Sequence, residues 1–99
     1  MVNWKVVHDK QNSVFRIPLD GKNKAVLEYE EQKGNVLNMH HTEVPRQYRG
    51  QDIGKILAKA AFTYAVTEDY KILPTCTYLQ KYAEEEATET EKKHILPLN

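Results

Sequence analysis

The chain has 99 residues, enough for one domain that buries a single two-layer core. Lys plus Arg and Asp plus Glu stand at 14 each, a balance that excludes a broad nucleic-acid-binding field and makes any anion site a local one. The single cysteine excludes an internal disulfide, and no apolar run nears the ~18 residues that a membrane span needs.

Met1 to Lys10 shows no apolar signal segment, so a soluble, cytoplasmic protein is expected, in a reducing compartment. Strands are predicted through the first half. Trp4, Val6 and His8 fall on one side of WKVVHD, and Phe15, Ile17 and Leu19 on one face of SVFRIPL, with Asp20-Gly21 as the turn. In AVLEYEE, Leu27 and Tyr29 stand opposite Glu28 and Glu30. Gly34 turns the chain into VLNMHHTEV, where Leu37, Met39 and His41 alternate against Val36, Asn38, His40 and Thr42. Four short strands with tight turns make an antiparallel meander.

The period then changes. Ile53, Ile56, Leu57, Ala60, Ala61, Tyr64 and Ala65 recur at helical spacing. Ala58, Phe62 and Val66 widen the apolar face, so this helix is expected to be covered on more than one side. KILPTC reads as a fifth strand, reached by a right-handed crossover that demands a parallel pair. TYLQKYAEEEA reads as a second helix, with Tyr78, Leu79 and Tyr82 as its apolar contribution. The fold class is therefore α+β, in one domain over residues 1–86. Residues 87–99 read as a polar tail ending in Ile95-Leu96-Pro97-Leu98, and a frayed terminus is expected there, with a docked hook as the alternative.

The turn between the fourth strand and the first helix holds Arg46, Arg49, Gly50 and Gly54, with Lys55 next. Free N–H groups at a helix start, the positive dipole end and adjacent cations together make an anion site. A solvated basic loop would carry the same residues. Pro74 cannot donate to a ladder, so the fourth and fifth strands are expected to start parallel and part near it, opening a slot toward the helix start. A phosphate at the helix with an extended chain in the slot describes coenzyme A.

YRGQDIGKILAKAA resembles the acyl-CoA-binding motif of the GNAT acetyltransferase superfamily, Arg/Gln-x-x-Gly-x-Gly/Ala opening a helix, with Arg49 and Gly54 at its first and last positions. The run HTEVPRQYRGQDIGKILAKAA followed by CTYLQKY is similar to small single-domain members, and the likeness covers roughly residues 4 to 86. It implies a twisted sheet with two main helices, without the extra helices that larger members insert after the first strand. It implies acetyl-CoA as cofactor and an amine as acceptor. The backbone near Val44 would pair with pantetheine, and the turn of Arg49, Gly50, Gln51, Asp52, Ile53, Gly54 and Lys55 would hold the pyrophosphate, with Arg46 a further cofactor-binding cation of the same loop. Asp52 stands where the motif usually has glycine and places a carboxylate, able to cap the helix, beside that site. A monomer is expected, with no nucleic-acid or membrane partner.

The chemistry needs a base for the amine and a group to manage the thioester. Cys76 falls at the end of the fifth strand and His41 near the end of the fourth, so the two are expected to meet across the slot. A thiolate activated by His41 can accept the acetyl group; alternatively His41 deprotonates the amine for direct attack. The bland readings are a buried small hydrophobe for Cys76 and a satisfied core histidine for His41. Tyr78 or Tyr82 can protonate the departing thiolate. No metal site is expected, because His40 and His41 diverge and His8 and His94 are scattered. A non-catalytic acyl-CoA-binding or protein-interaction module that keeps the fold is the alternative, with Asp52 as its support.

Overall fold

The computed structural model describes residues 3–98. Five strands, β1 (Val7–Asp9), β2 (Val14–Pro18), β3 (Lys24–Gln32), β4 (Val36–Glu43) and β5 (Lys71–Pro74), lie in sequence order in one sheet. Three helices, α1 (Ile53–Thr67), α2 (Thr77–Glu85) and α3 (Glu89–His94), complete the α+β fold. Pairing is antiparallel from β1 to β4. The crossover through α1 makes β4 and β5 parallel.

Alternation sets the faces of the sheet. Phe15 pairs with Leu27 and Ile17 with Ala25, so these apolar residues share one face. There they meet Leu57, Ala61 and Phe62 of α1 and Leu79 of α2 in one core, each contact residue essentially sealed from solvent. Burial of each large apolar side chain contributes about 1.5–3 kcal/mol over exposure. The sheet, α2 and α3 all pack on α1, which accounts for its wide apolar surface. On the opposite face Arg16, Val26, Glu28 and Asn38 are only half-buried.

The regular alternation predicted for β4 breaks at one place. Tyr29 pairs with Met39 but Glu28 pairs with His41, so His40 is an extra residue in the ladder. This β-bulge changes the parity of everything after it. His41 falls on the outer face with Glu28, rather than with Leu37 and Met39, and Thr42 takes the core face with Leu27.

β4 and β5 pair from Val36 with Lys71 to Met39 with Pro74, and their last link is the Cys76 N–H donating to the Met39 carbonyl at 3.1 Å. Beyond that point β4 runs on without β5. The strands part at Pro74, where the missing N–H ends the ladder.

The carboxy-terminal segment does not fray. Thr88 and Glu91 form a reciprocal capping box at the start of α3, and the buried Glu91 also accepts from Lys59 of α1 at 3.3 Å. His94 Nδ1 hydrogen-bonds the Tyr70 carbonyl at 2.8 Å, and Ile95 forms a parallel bridge to Ile72 on the free edge of β5. The segment thus covers the edge that β5 would expose. Among the described residues no helix is long and apolar enough to cross a membrane.

Candidate functional site

A cleft of ≈ 440 Å³ opens where β4 leaves the sheet and α1 begins. Seven of the residues expected to hold the cofactor line it: Val44, Arg49, Gly50, Asp52, Ile53, Gly54 and Lys55. Thr42, Glu43, Tyr48 and Tyr78 complete the wall. Arg46 and Gln51 belong to the same turn but are not among the lining residues.

The turn reaches α1 through two left-handed residues, Gly50 (φ +89°) and Asp52 (φ 60°). That conformation explains the glycine usual at the middle of the motif, and Asp is among the few side chains that tolerate it. Asp52 occupies the N-cap position, yet its side chain makes no capping hydrogen bond, contrary to the role its residue type suggested. The first helical bond runs from the Ile56 N–H to the Asp52 carbonyl at 3.1 Å. Among the described residues, none of the N–H groups from Gly50 to Lys55 has a protein acceptor. They form a row of free donors at the positive end of a 15-residue helix.

The cations of the turn are partly engaged. Arg49 donates from Nε to the Val44 carbonyl at 3.0 Å, tying the turn to the end of β4. Lys55 lies 3.6 Å from Glu86, with both side chains about half exposed, a pair that contributes little to stability.

Tyr78, on the first turn of α2, reaches across to the start of α1, where its ring and hydroxyl cover Gly54. Burial pushes its phenol above the ordinary tyrosine value, and Asp52, Glu86 and Cys76 push it further. The proton therefore stays on oxygen throughout the neutral range. Tyr82 is separated from the cleft: it packs edge-on against Phe62 in the core, and burial, with Glu91 and Glu86, raises its phenol to about 12.

Cys76 is half-buried just before α2, and its Sγ–H donates to Thr42 Oγ1 at 3.6 Å across the gap where β4 and β5 part. His41 is not brought to it. The bulge turns His41 to the outer face, where Nε2 lies 3.2 Å from Glu43 Oε1 in an exposed pair. Thr42, which sequence periodicity assigned to the other face, stands where an imidazole was expected. Tyr48 was also missed; its hydroxyl donates to Asp20 Oδ2 at 2.5 Å and its ring meets Trp4 edge-on. Nothing local in the sequence signals either contact.

The description of the GCN5-related N-acetyltransferase family matches residues 14–92. Protein NATD1 of Danio rerio is 48% identical over 82 residues, which cover 82% of this chain and 74% of that protein. Protein NATD1 of Homo sapiens is 45% identical over 82 residues, 82% of this chain and 73% of the relative. The solution structure of a GCN5-like protein from Staphylococcus aureus superposes with a TM-score of 0.75 at 28% identity, covering 100% of this chain and 94% of that one. Parted strands, a row of free amides at the start of α1 and these likenesses agree: the chain belongs to the GCN5-related N-acetyltransferase family.

Proposed function

We propose that the cleft binds acetyl-CoA and that the protein transfers the acetyl group to an amine by direct attack. The run of unpartnered N–H groups from Gly50 to Lys55, beside the unpaired end of β4, carries this reading. The residues present fit the cofactor. The free amides, with Arg46, Arg49 and Lys55, suit a pyrophosphate, and the β4 edge up to Val44 suits the amides of pantetheine. The carboxylates of Asp52 and Glu43 on the cleft wall oppose an anion there.

When bound, acetyl-CoA supplies a thioester carbonyl that an amine attacks at carbon, with the coenzyme sulfur leaving. Tyr78 holds its proton at the cleft wall and is the candidate acid for that sulfur. An amine arriving over the open sheet face meets His41, whose Nε2–H donates to Glu43 Oε1 and leaves Nδ1 as the ring nitrogen with a free lone pair to take a proton. Cys76 remains the candidate covalent carrier, with the acetyl group moving from sulfur to sulfur and then to the amine. That route needs a base at Sγ, where a threonine hydroxyl stands, so direct transfer is the stronger reading.

A second reading, a non-catalytic acyl-CoA-binding or protein-interaction module, draws support from Asp52 at the anion site and from Lys55 paired with Glu86. Purified protein incubated with acetyl-CoA and a set of amines (a lysine peptide, spermidine, a free amino acid) separates these. Amine-dependent CoA release, slowed at least about 100-fold in Tyr78→Phe, is expected. An added acetyl mass abolished by Cys76→Ala would favour the covalent route. Binding without release would favour the module, and no binding would end the proposal.

A further inference from the structure

The loop that faces the anion site is short of anchors. Among the described residues, Tyr48 Oη to Asp20 is the one hydrogen bond that joins residues 45–52 to a distant segment. The others are local: Tyr48 N–H to Pro45, Arg49 N–H to Arg46, Arg49 Nε to Val44, and Ile56 N–H to Asp52. Asp20 belongs to the β2–β3 turn, 28 residues away in sequence, and is brought alongside by the pairing of Val26 with Glu43.

Asp20 is itself held rigidly. Its Oδ1 accepts from the N–H groups of Lys22 at 2.8 Å and Asn23 at 2.9 Å, and Asn23 Nδ2 donates to Oδ2 at 3.0 Å. Tyr48 lines the cleft and directly precedes Arg49 and Gly50. Its ring is braced by Trp4, centroids 6.1 Å apart and nearly perpendicular. A fixed carboxylate thus grips a tyrosine at the root of the amide row.

We infer that Asp20 is a positioning residue for the cofactor site: acting through Tyr48, it holds the turn Arg46–Asp52 in the shape that presents the amides of Gly50 to Lys55 together. This rests on the proposed binding of acetyl-CoA, and it assigns part of that function to a hairpin turn that never touches the ligand. Without the tether the loop samples other shapes, and apparent affinity falls by the fraction of time the competent one is populated.

Tyr48→Phe tests this, because it keeps the ring against Trp4 and deletes only the hydroxyl; Asp20→Ala and Asp20→Asn complete the set. In the free protein, ¹⁵N relaxation should show order lost in residues 46–55 of Tyr48→Phe and Asp20→Ala, with the sheet unchanged. CoA affinity by calorimetry should fall about three- to tenfold in both, and Asp20→Asn should recover part of it, since an amide oxygen still accepts from the phenol. Order lost across the whole sheet would make Asp20 an ordinary stabilising residue and overturn the inference. So would wild-type mobility and CoA affinity in Tyr48→Phe. Wild-type protein indifferent to CoA would instead defeat the binding proposal, and the relaxation data would still decide the role of Asp20.

Discussion

A Cβ added to Gly54 would lie 2.9 Å from the hydroxyl of Tyr78, so the two residues are packed as a unit at the mouth of α1. The clashing atom is the far end of a side chain that is 38% exposed, so the ring can swing away. Gly54→Ala should therefore fold well, the more so because alanine favours a helix by about 1 kcal/mol over glycine. Under the proposed mechanism the displaced phenol would no longer serve the leaving sulfur. A melting temperature at or above that of wild type, with acetyl transfer slowed about tenfold or more, is the expected pair of results. Full activity in Gly54→Ala would remove Tyr78 from the proton-donor role.

Asp52 sits in a left-handed conformation at φ 60° without capping the helix. Its replacement by Gly loses no cap, and relief of the backbone offsets the greater freedom of the unfolded chain to within about 1 kcal/mol. Asp52→Asn keeps the tolerance for that conformation and removes the charge. Both variants should bind CoA several-fold more tightly, most clearly at low ionic strength, where repulsion from the phosphates is least screened. Calorimetry at two salt concentrations measures this; equal affinity in all three proteins would mean that the carboxylate does not face the phosphates.

His8 links stability to pH. Its ring stacks on Phe15 at 3.9 Å, meets Tyr64 edge-on and bonds the Tyr29 hydroxyl at 2.8 Å through Nε2. Burial lowers its pKa below 6.5, Lys10 lowers it further, and Asp9 opposes them. The unfolded chain then binds the proton more readily than the folded one. Stability from this site is full above the unfolded value near 6.5 and is lost as pH falls through it toward the lower folded value. Melting temperature should drop between about pH 7.5 and pH 5.5. His8→Gln should flatten that slope, and an unchanged slope would place the pH sensitivity elsewhere.

Glu91 caps α3, accepts from Lys59 and is nearly sealed from solvent. Glu91→Ala removes half of the capping box and leaves Lys59 without its partner. A loss of about 1–2 kcal/mol in denaturant unfolding is expected, with release of Ile95 from the edge of β5 seen as faster amide exchange at Leu96. Glu91→Gln, which can still accept from the Thr88 N–H, should lose less. Unaltered stability in Glu91→Ala would mean that the capping box and the Lys59 pair contribute nothing to the fold.

Period, turn residues and breakers determined the sheet, the crossover and the basic turn before α1 from the sequence alone, because each is a local preference repeated along the chain. Pro74 ends β5 for want of an N–H, and Gly50 takes a φ that other side chains resist. The segment from Thr88 to Ile95, read as a fraying tail, is ordered by a capping box and by docking on Lys59, Tyr70 and Ile72, which are remote in sequence. Only the tertiary structure decided which side of the sheet each catalytic candidate faces. The bulge at His40 arises from the joint register of β3 and β4, so reading β4 with a strict period of two put His41 and Thr42 on the wrong faces. Tyr48 and Asp20 likewise meet because sheet pairing brings a hairpin turn beside the end of β4, a relationship that no window along the chain contains.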